Sequence, residues 1–226
     1  MELILDTANL EQIEKYNRLL PISGVTTNPS IITKEGNIDV FEHLKAIRKI
    51  IGNEKTLHVQ VVSDNYEDML KDVESIFKNV DEEVYIKIPV STDGIRLMNT
   101  LKSKNKNVSA TAIYSDFQAL LTVASKVDYL IPYYNRMENI NVNPEEVIEV
   151  VAKNIKESGS QSRIMAASFK NVGQVVKAIK AGSQAVTVSP DVLEQGLSMP
   201  SVSIAVDAFT NDWSKNFGED KKLYNL

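Results

Sequence analysis

The chain has 226 residues, 43% of them hydrophobic and 24% charged, the composition of a folded globular protein long enough for one large domain. Twenty-five basic against thirty acidic side chains give a net charge of −5 without a Lys/Arg block, so the electrostatic footprint of a nucleic-acid binder is missing. Cysteine is absent, which excludes disulfides, thiolate nucleophiles, zinc–thiolate sites and iron–sulfur clusters and leaves the chemistry to oxygen and nitrogen groups. An acid follows Met1 and the first apolar run is short, unlike a secretory leader, and no apolar stretch reaches the about 18 residues of a membrane span. The expectation is a cytoplasmic protein without membrane contact.

Strand-like runs alternate with amphipathic stretches along the whole chain. Glu2–Leu5 leads to a helical pattern on Leu10, Ile13, Tyr16 and Leu20, and Ile22–Val25 to one on Leu44, Ile47 and Ile51. Thr56–Val61 precedes Met69, Val73, Ile76 and Phe77, and Val84–Ile88 precedes Ile95, Met98 and Leu101. Asn107–Ile113 is followed by Phe117, Leu120, Leu121 and Ala124, and Tyr129–Pro132 by Val147, Val150, Val151 and Ile155. Arg163–Ala167 comes before Val172, Val175, Val176 and Ile179, and Ala185–Val188 is the eighth run. Thr7 reads as the cap of a first helix starting near Ala8, Thr92–Asp93 precedes the fourth helix, and Asn143–Pro144–Glu145 reads as cap, first-turn proline and acid.

Eight strand-then-helix repeats in roughly 200 residues predict an α/β fold, a single (β/α)8 TIM barrel over residues 1–199. An open doubly wound sheet fits less well, because no G-x-G-x-x-G follows the first strand. Residues 200–217 carry Val202, Ala205, Val206, Phe209, Trp213 and Phe217 at helical spacing, an extra C-terminal helix that packs on the barrel or on a neighbouring subunit. Residues 218–226 form a polar tail, expected to be loose.

A barrel of this kind builds its site at the carboxyl ends of its strands, and polar residues gather there. Asp6 ends the first strand, Thr26, Thr27 and Asn28 the second, Gln60 the third, Lys87 the fourth, Thr111 the fifth, Tyr133 the sixth, Ser168 the seventh and Ser189 the eighth. Lys87 stands in V-Y-I-K-I-P, and lysine is almost never buried without a reason. Desolvation lowers its pKa and supplies a neutral amine that attacks a carbonyl to form a Schiff base. The alternative is a strand-end lysine reaching solvent. Asp6, facing inward, needs a partner such as Lys87 or a substrate hydroxyl, or else caps the following helix. His43 is expected on a helix surface, and His58, on the face of Gln60, lines the pocket or the core. No histidine or carboxylate pattern has metal-ligand spacing.

D-T-A-N at Asp6–Asn9, G-V-T-T-N-P-S at Gly24–Ser30, V-Y-I-K-I-P at Val84–Pro89 and A-A-S-F-K at Ala166–Lys170 resemble the small transaldolase-like proteins, specifically the fructose-6-phosphate aldolase subgroup. The resemblance runs from Met1 to about Phe217. It implies a (β/α)8 barrel without metal or organic cofactor, with Lys87 as the Schiff-base lysine and phosphorylated sugars and small ketones or aldehydes as substrates. Gln60 and Tyr133 stand where transaldolases carry glutamate and phenylalanine, and Thr111 matches the third residue that holds the catalytic water. The resemblance further implies that Asp6, Asn28 and Ser168 orient donor hydroxyls beside Thr26, and that Arg136 and, more weakly, Lys170 hold the phosphate. Two positions depart from the family pattern. Ile131 replaces a small residue and crowds the place of the donor's C1 hydroxyl, and Ser109, polar where the aldolases are apolar, can return a hydrogen bond there, so hydroxyacetone, which lacks one hydroxyl, is expected to be preferred over dihydroxyacetone as donor. A transaldolase of the pentose phosphate pathway is the runner-up, and a non-catalytic phosphosugar-binding barrel the third reading. The family also implies a ring-shaped homo-oligomer, with a decamer as the candidate assembly.

Overall fold

A computed structural model describes all 226 residues, Met1–Leu226. Eight parallel strands pair in chain order and close on themselves: β1 (Glu2–Asp6), β2 (Gly24–Thr26), β3 (Thr56–Gln60), β4 (Tyr85–Pro89), β5 (Val108–Ile113), β6 (Tyr129–Pro132), β7 (Arg163–Ala166) and β8 (Ala185–Val188). This is the (β/α)8 barrel that the alternation predicts. Around it lie α1 (Leu10–Leu19), α2 (Pro29–Ile32), α3 (Val40–Ile51), α4 (Tyr66–Asn79), α5 (Thr92–Ser103) and α6 (Asp116–Ala124). The ring continues with α7 (Tyr134–Asn139), α8 (Pro144–Ser158), α9 (Val172–Lys180) and α10 (Pro190–Leu197), and α11 (Pro200–Phe217) follows. No helix is long and apolar enough to cross a membrane.

The turn from strand to helix is written in polar caps. Asn9, Asp39, Asn65, Ser91, Ser115, Asn143 and Asn171 each accept a hydrogen bond from a first-turn amide of the helix that follows. Asn9, not Thr7, therefore caps the first helix; the Thr7 hydroxyl accepts from the Asn9 amide instead. Likewise Ser91 caps α5, and Thr92–Asp93 forms its first turn. Where strand ends differ from expectation they do so by one residue or two, most at β2, which starts at Gly24. Gly24 is required there: a Cβ would sit 2.1 Å from Thr56 Oγ1 on the neighbouring strand.

Alternation along the strands separates two cores. Leu5, Val25, Leu57, Val59, Ile86 and Ile88 join the large cluster under the helices, while Ile4, Tyr129, Ile131, Met165, Ala167 and Ala185 fill the barrel itself. On α6 the buried residues are Ala119, Thr122 and Val123, so the expected face is rotated and Phe117 and Leu121 point outward. Val150 and Val176 are also exposed. His43 is half-buried, its Nε2 2.7 Å from the Ala8 carbonyl oxygen, rather than a free surface residue. None of the α11 residues is buried against this chain; Phe209 is 72% and Phe217 52% exposed. The tail is not loose throughout, since Trp213 Nε1 donates to the Lys221 carbonyl at 2.7 Å.

Candidate active site

Lys87 lies inside the barrel and is 2% exposed. Its Nζ donates to the carbonyl oxygen of Thr27 at 2.8 Å. Burial pushes its pKa below the ordinary lysine range, because a low-dielectric surrounding disfavours the ammonium, and the negative charge of Asp6 only partly opposes this. Lys87 therefore does not snorkel to solvent. A neutral amine can still donate an N–H to Thr27 while its lone pair stays available.

Asp6 closes β1 at the same end. Its Oδ1 accepts from Thr26 Oγ1 at 2.7 Å, and Thr26 Oγ1 lies 2.5 Å from Thr187 Oγ1. The Thr26 proton is committed to the carboxylate, so Thr187 donates to Thr26, and two hydroxyls in series hold the carboxylate in place. Burial raises the Asp6 pKa, against the attraction of Lys87 and the Thr26 hydrogen bond. Asp6 caps no helix; that role belongs to Asn9.

Across the barrel mouth, Thr111 Oγ1 donates to Tyr133 Oη at 3.0 Å. This contact depends on a register shift in β5 between Ala110 and Ile113, where Ala112 takes φ = 58°. Burial raises the Tyr133 pKa, so its hydroxyl keeps its proton through neutral pH. Gln60 is the register partner of Lys87, and its Oε1 is buried without a protein partner. An orphaned amide oxygen beside a buried amine suits a water or a substrate hydroxyl.

The remaining predicted residues divide. Asn28 spends its amide oxygen capping α2, accepting from Ile31 N at 2.9 Å, which leaves the amide nitrogen as the donor. Ser168 sits after β7 with φ = 63°, a left-handed conformation uncommon outside glycine. Arg136 is exposed, donates to Tyr114 Oη at 3.2 Å and places its guanidinium 5.0 Å from the Tyr133 ring centre. The Lys170 side chain is exposed, and only its backbone amide is tied, to Gln174. Ile131 and Ser109 are fully buried, Ser109 against His58. Sequence reasoning missed Thr187 and Tyr114. The signal for Thr187 was its inward position two residues after Ala185, hidden because threonine is also an ordinary strand former.

A cavity of about 340 Å³ opens beside Asp6, lined by Thr7, Lys15, Lys34, Ser189 and Asp191 among others. A larger one, about 750 Å³, lies at the opposite end near Lys102, Asp128 and Ser160 and holds none of the predicted site residues. Nowhere do three or more His, Cys, Asp or Glu side chains converge as metal ligands would.

The molecule is a closed parallel (β/α)8 barrel with a buried lysine in the middle of its fourth strand, in register with the last residue of the third. The chain belongs to the transaldolase/fructose-6-phosphate aldolase family, whose model matches residues 3–223. Among its relatives is the probable fructose-6-phosphate aldolase of Streptococcus pneumoniae, 46% identical over 213 residues, 94% of this chain and 96% of that one.

Proposed function

We propose that this protein is a cofactor-free class I aldolase that reversibly cleaves fructose 6-phosphate into dihydroxyacetone and glyceraldehyde 3-phosphate. The observation that carries the reading is Lys87: buried, held by a backbone carbonyl, and shifted toward the neutral amine. Family membership and the aldolase name of the relative support the same chemistry.

In this reading the Lys87 amine adds to the C2 ketone, and loss of water from the carbinolamine gives a protonated imine. A base removes the C4 hydroxyl proton, the C3–C4 bond breaks, and its electron pair moves to the imine nitrogen as glyceraldehyde 3-phosphate leaves. The resulting enamine is protonated at C3, and water hydrolyses the imine to release dihydroxyacetone and the free lysine. Tyr133, paired with Thr111, and a water at the orphaned Gln60 oxygen would carry these protons. Asp6, Thr26, Asn28 and Ser168 would orient the donor hydroxyls, and Arg136 would clamp the phosphate, with Lys170 as a second positive charge. The buried Ile131 supports hydroxyacetone as an additional donor. The protein would act in the cytoplasm as residues 1–199 of barrel plus the C-terminal helix, assembled into a ring through α11 of neighbouring copies.

The test is glyceraldehyde 3-phosphate release from fructose 6-phosphate, with and without erythrose 4-phosphate, for the wild type and Lys87→Met. Release without an acceptor, lost in the variant, is expected. Release only with the acceptor identifies a transaldolase, and no release under either condition leaves a phosphosugar-binding barrel.

A further inference from the structure

The loops that follow β6 and β7 are fastened to each other by one buried amide side chain that takes no part in the mechanism above. Gln174 lies in the first turn of α9 and is buried. Its Oε1 accepts from the backbone amide of Lys170 at 2.7 Å, and its Nε2 donates to Asn135 Oδ1 at 3.0 Å and to the carboxylate of Glu138. The orientation of this amide is unambiguous, because a backbone N–H can only donate and a carboxylate accepts. Its oxygen and both Nε2 hydrogens are committed, as burial of so polar a group requires.

Asn135 closes the frame. Its backbone N–H donates to the Ser168 carbonyl oxygen at 3.1 Å. Residues 168–170 are therefore gripped at both ends, at Ser168 by the Asn135 backbone and at Lys170 by Gln174, which itself bonds the Asn135 side chain. Between the two grips Phe169 buries its ring against Tyr134, with ring centres 5.8 Å apart. Ser168 holds φ = 63°, a left-handed backbone that a serine keeps only where its surroundings over-determine it. Asn135 stands two residues after Tyr133 and next to Arg136, so one frame sets the loop of Ser168 and Lys170 against the loop of Tyr133 and Arg136. The bonds on the reacting groups lie outside this frame: Lys87 is held by Thr27, and the Tyr133 hydroxyl by Thr111.

We propose that Gln174 is a positioning residue for substrate binding, which holds Ser168 and Lys170 in fixed register with Arg136. The functional part rests on the reading above, in which these residues orient a donor hydroxyl and hold the phosphate. Loss of the frame should weaken binding, read in KM, and leave the chemical step, read in kcat. A merely less stable protein does the reverse, since a smaller active fraction lowers kcat and leaves KM unchanged.

The experiment compares wild type, Gln174→Met, Gln174→Glu, Glu138→Gln and the double variant Gln174→Glu/Glu138→Gln as full-length proteins. Methionine fills the space and loses all three hydrogen bonds. Gln174→Glu alone sets two carboxylates against each other; in the double variant the new amide at position 138 donates to the new carboxylate at position 174, and the Asn135 amide turns to do the same. Gln174→Met and Gln174→Glu should each raise KM for fructose 6-phosphate ~tenfold with kcat within ~threefold of wild type. Glu138→Gln should stay near wild type, because its amide oxygen still accepts, and the double variant should recover most of the lost KM. A wild-type KM in Gln174→Met, or a double variant no better than Gln174→Glu, overturns the proposal; if Gln174→Met fails to fold, the exchanged pair decides. Amide hydrogen exchange is read in parallel and needs no catalysis: Gln174→Met should speed exchange at both Lys170 and Asn135, and an unchanged rate at Asn135 overturns the coupling of the two loops. Faster exchange at both, in a protein whose wild type releases no glyceraldehyde 3-phosphate, retains the frame and removes the aldolase reading. Release with unchanged exchange does the opposite.

Discussion

Lys87 Nζ and the Thr27 carbonyl oxygen are 2.8 Å apart, so the buried amine is tied to backbone rather than to a carboxylate. A carbonyl satisfies one N–H whatever the charge state, whereas a bonded carboxylate would lock the ammonium. Activation of the amine and instability of the site thus have the same origin.

Lys87→Met should raise the melting temperature at neutral pH. The folded-state pKa of Lys87 is lowered, so between that value and the unfolded one, about 10.4, the unfolded chain binds the extra proton and stability rises with pH. The penalty is greatest below the folded pKa and vanishes above the unfolded one. The variant's advantage should shrink as pH climbs into the alkaline range; thermal melts across that range, with no gain at pH 7, would refute it.

Tyr133→Phe removes the hydroxyl that Thr111 meets at 3.0 Å. If Tyr133 carries protons as proposed, its loss should slow the acceptor-free release of glyceraldehyde 3-phosphate by about 10²–10⁴-fold, with little change in melting temperature. Release that becomes dependent on erythrose 4-phosphate is the accompanying expectation. Unchanged acceptor-free release would assign the protons to another group.

Ile131 is fully buried inside the barrel among Ile4, Tyr129 and Ala167. Ile131→Ala should cost about 2–5 kcal/mol through the cavity it leaves. It should also raise the kcat/KM ratio of dihydroxyacetone over hydroxyacetone as aldol donor, by opening room for a hydroxyl. A ratio equal to that of the wild type removes Ile131 from donor choice.

Ala112 pays for the Thr111–Tyr133 contact with a left-handed backbone, φ = 58°. Ala112→Gly should be stabilising or neutral, and Ala112→Val should destabilise by roughly 1–3 kcal/mol because a β-branched side chain fits that region worst. Denaturant melts order the three proteins, and a valine variant as stable as wild type contradicts the argument.

The aromatic stripe of α11 faces away from its own barrel, with Phe209 and Phe217 largely exposed. If copies assemble through α11 as proposed, deletion after Met199 should leave monomers with an intact barrel fold. Light scattering that finds the same oligomer before and after deletion rules out α11 as the joint.

The sequence by itself determined the barrel, because period-two and period-3.6 hydrophobicity report which face of each element is buried regardless of the partner. Lys87 amid V-Y-I-I-P stood out in the sequence, but whether it was buried or reached solvent was decided only when the barrel closed around it. Helix starts were less legible: Thr7 and Asn9 are both good caps, and only the observed turn, in which Asn9 reaches the Gln12 amide, chose between them. On α6 the packed face was set by Ala119 and Val123 against the barrel, although Phe117 and Leu121 are more hydrophobic. Tertiary structure alone decided which polar groups meet. The series Thr187, Thr26, Asp6 and the series Ser109, His58, Thr56, Ser23 join residues from strands distant in sequence. A hydroxyl both donates and accepts, so its role is undefined until the groups at the two ends of its chain are known. Those ends meet only when the barrel closes.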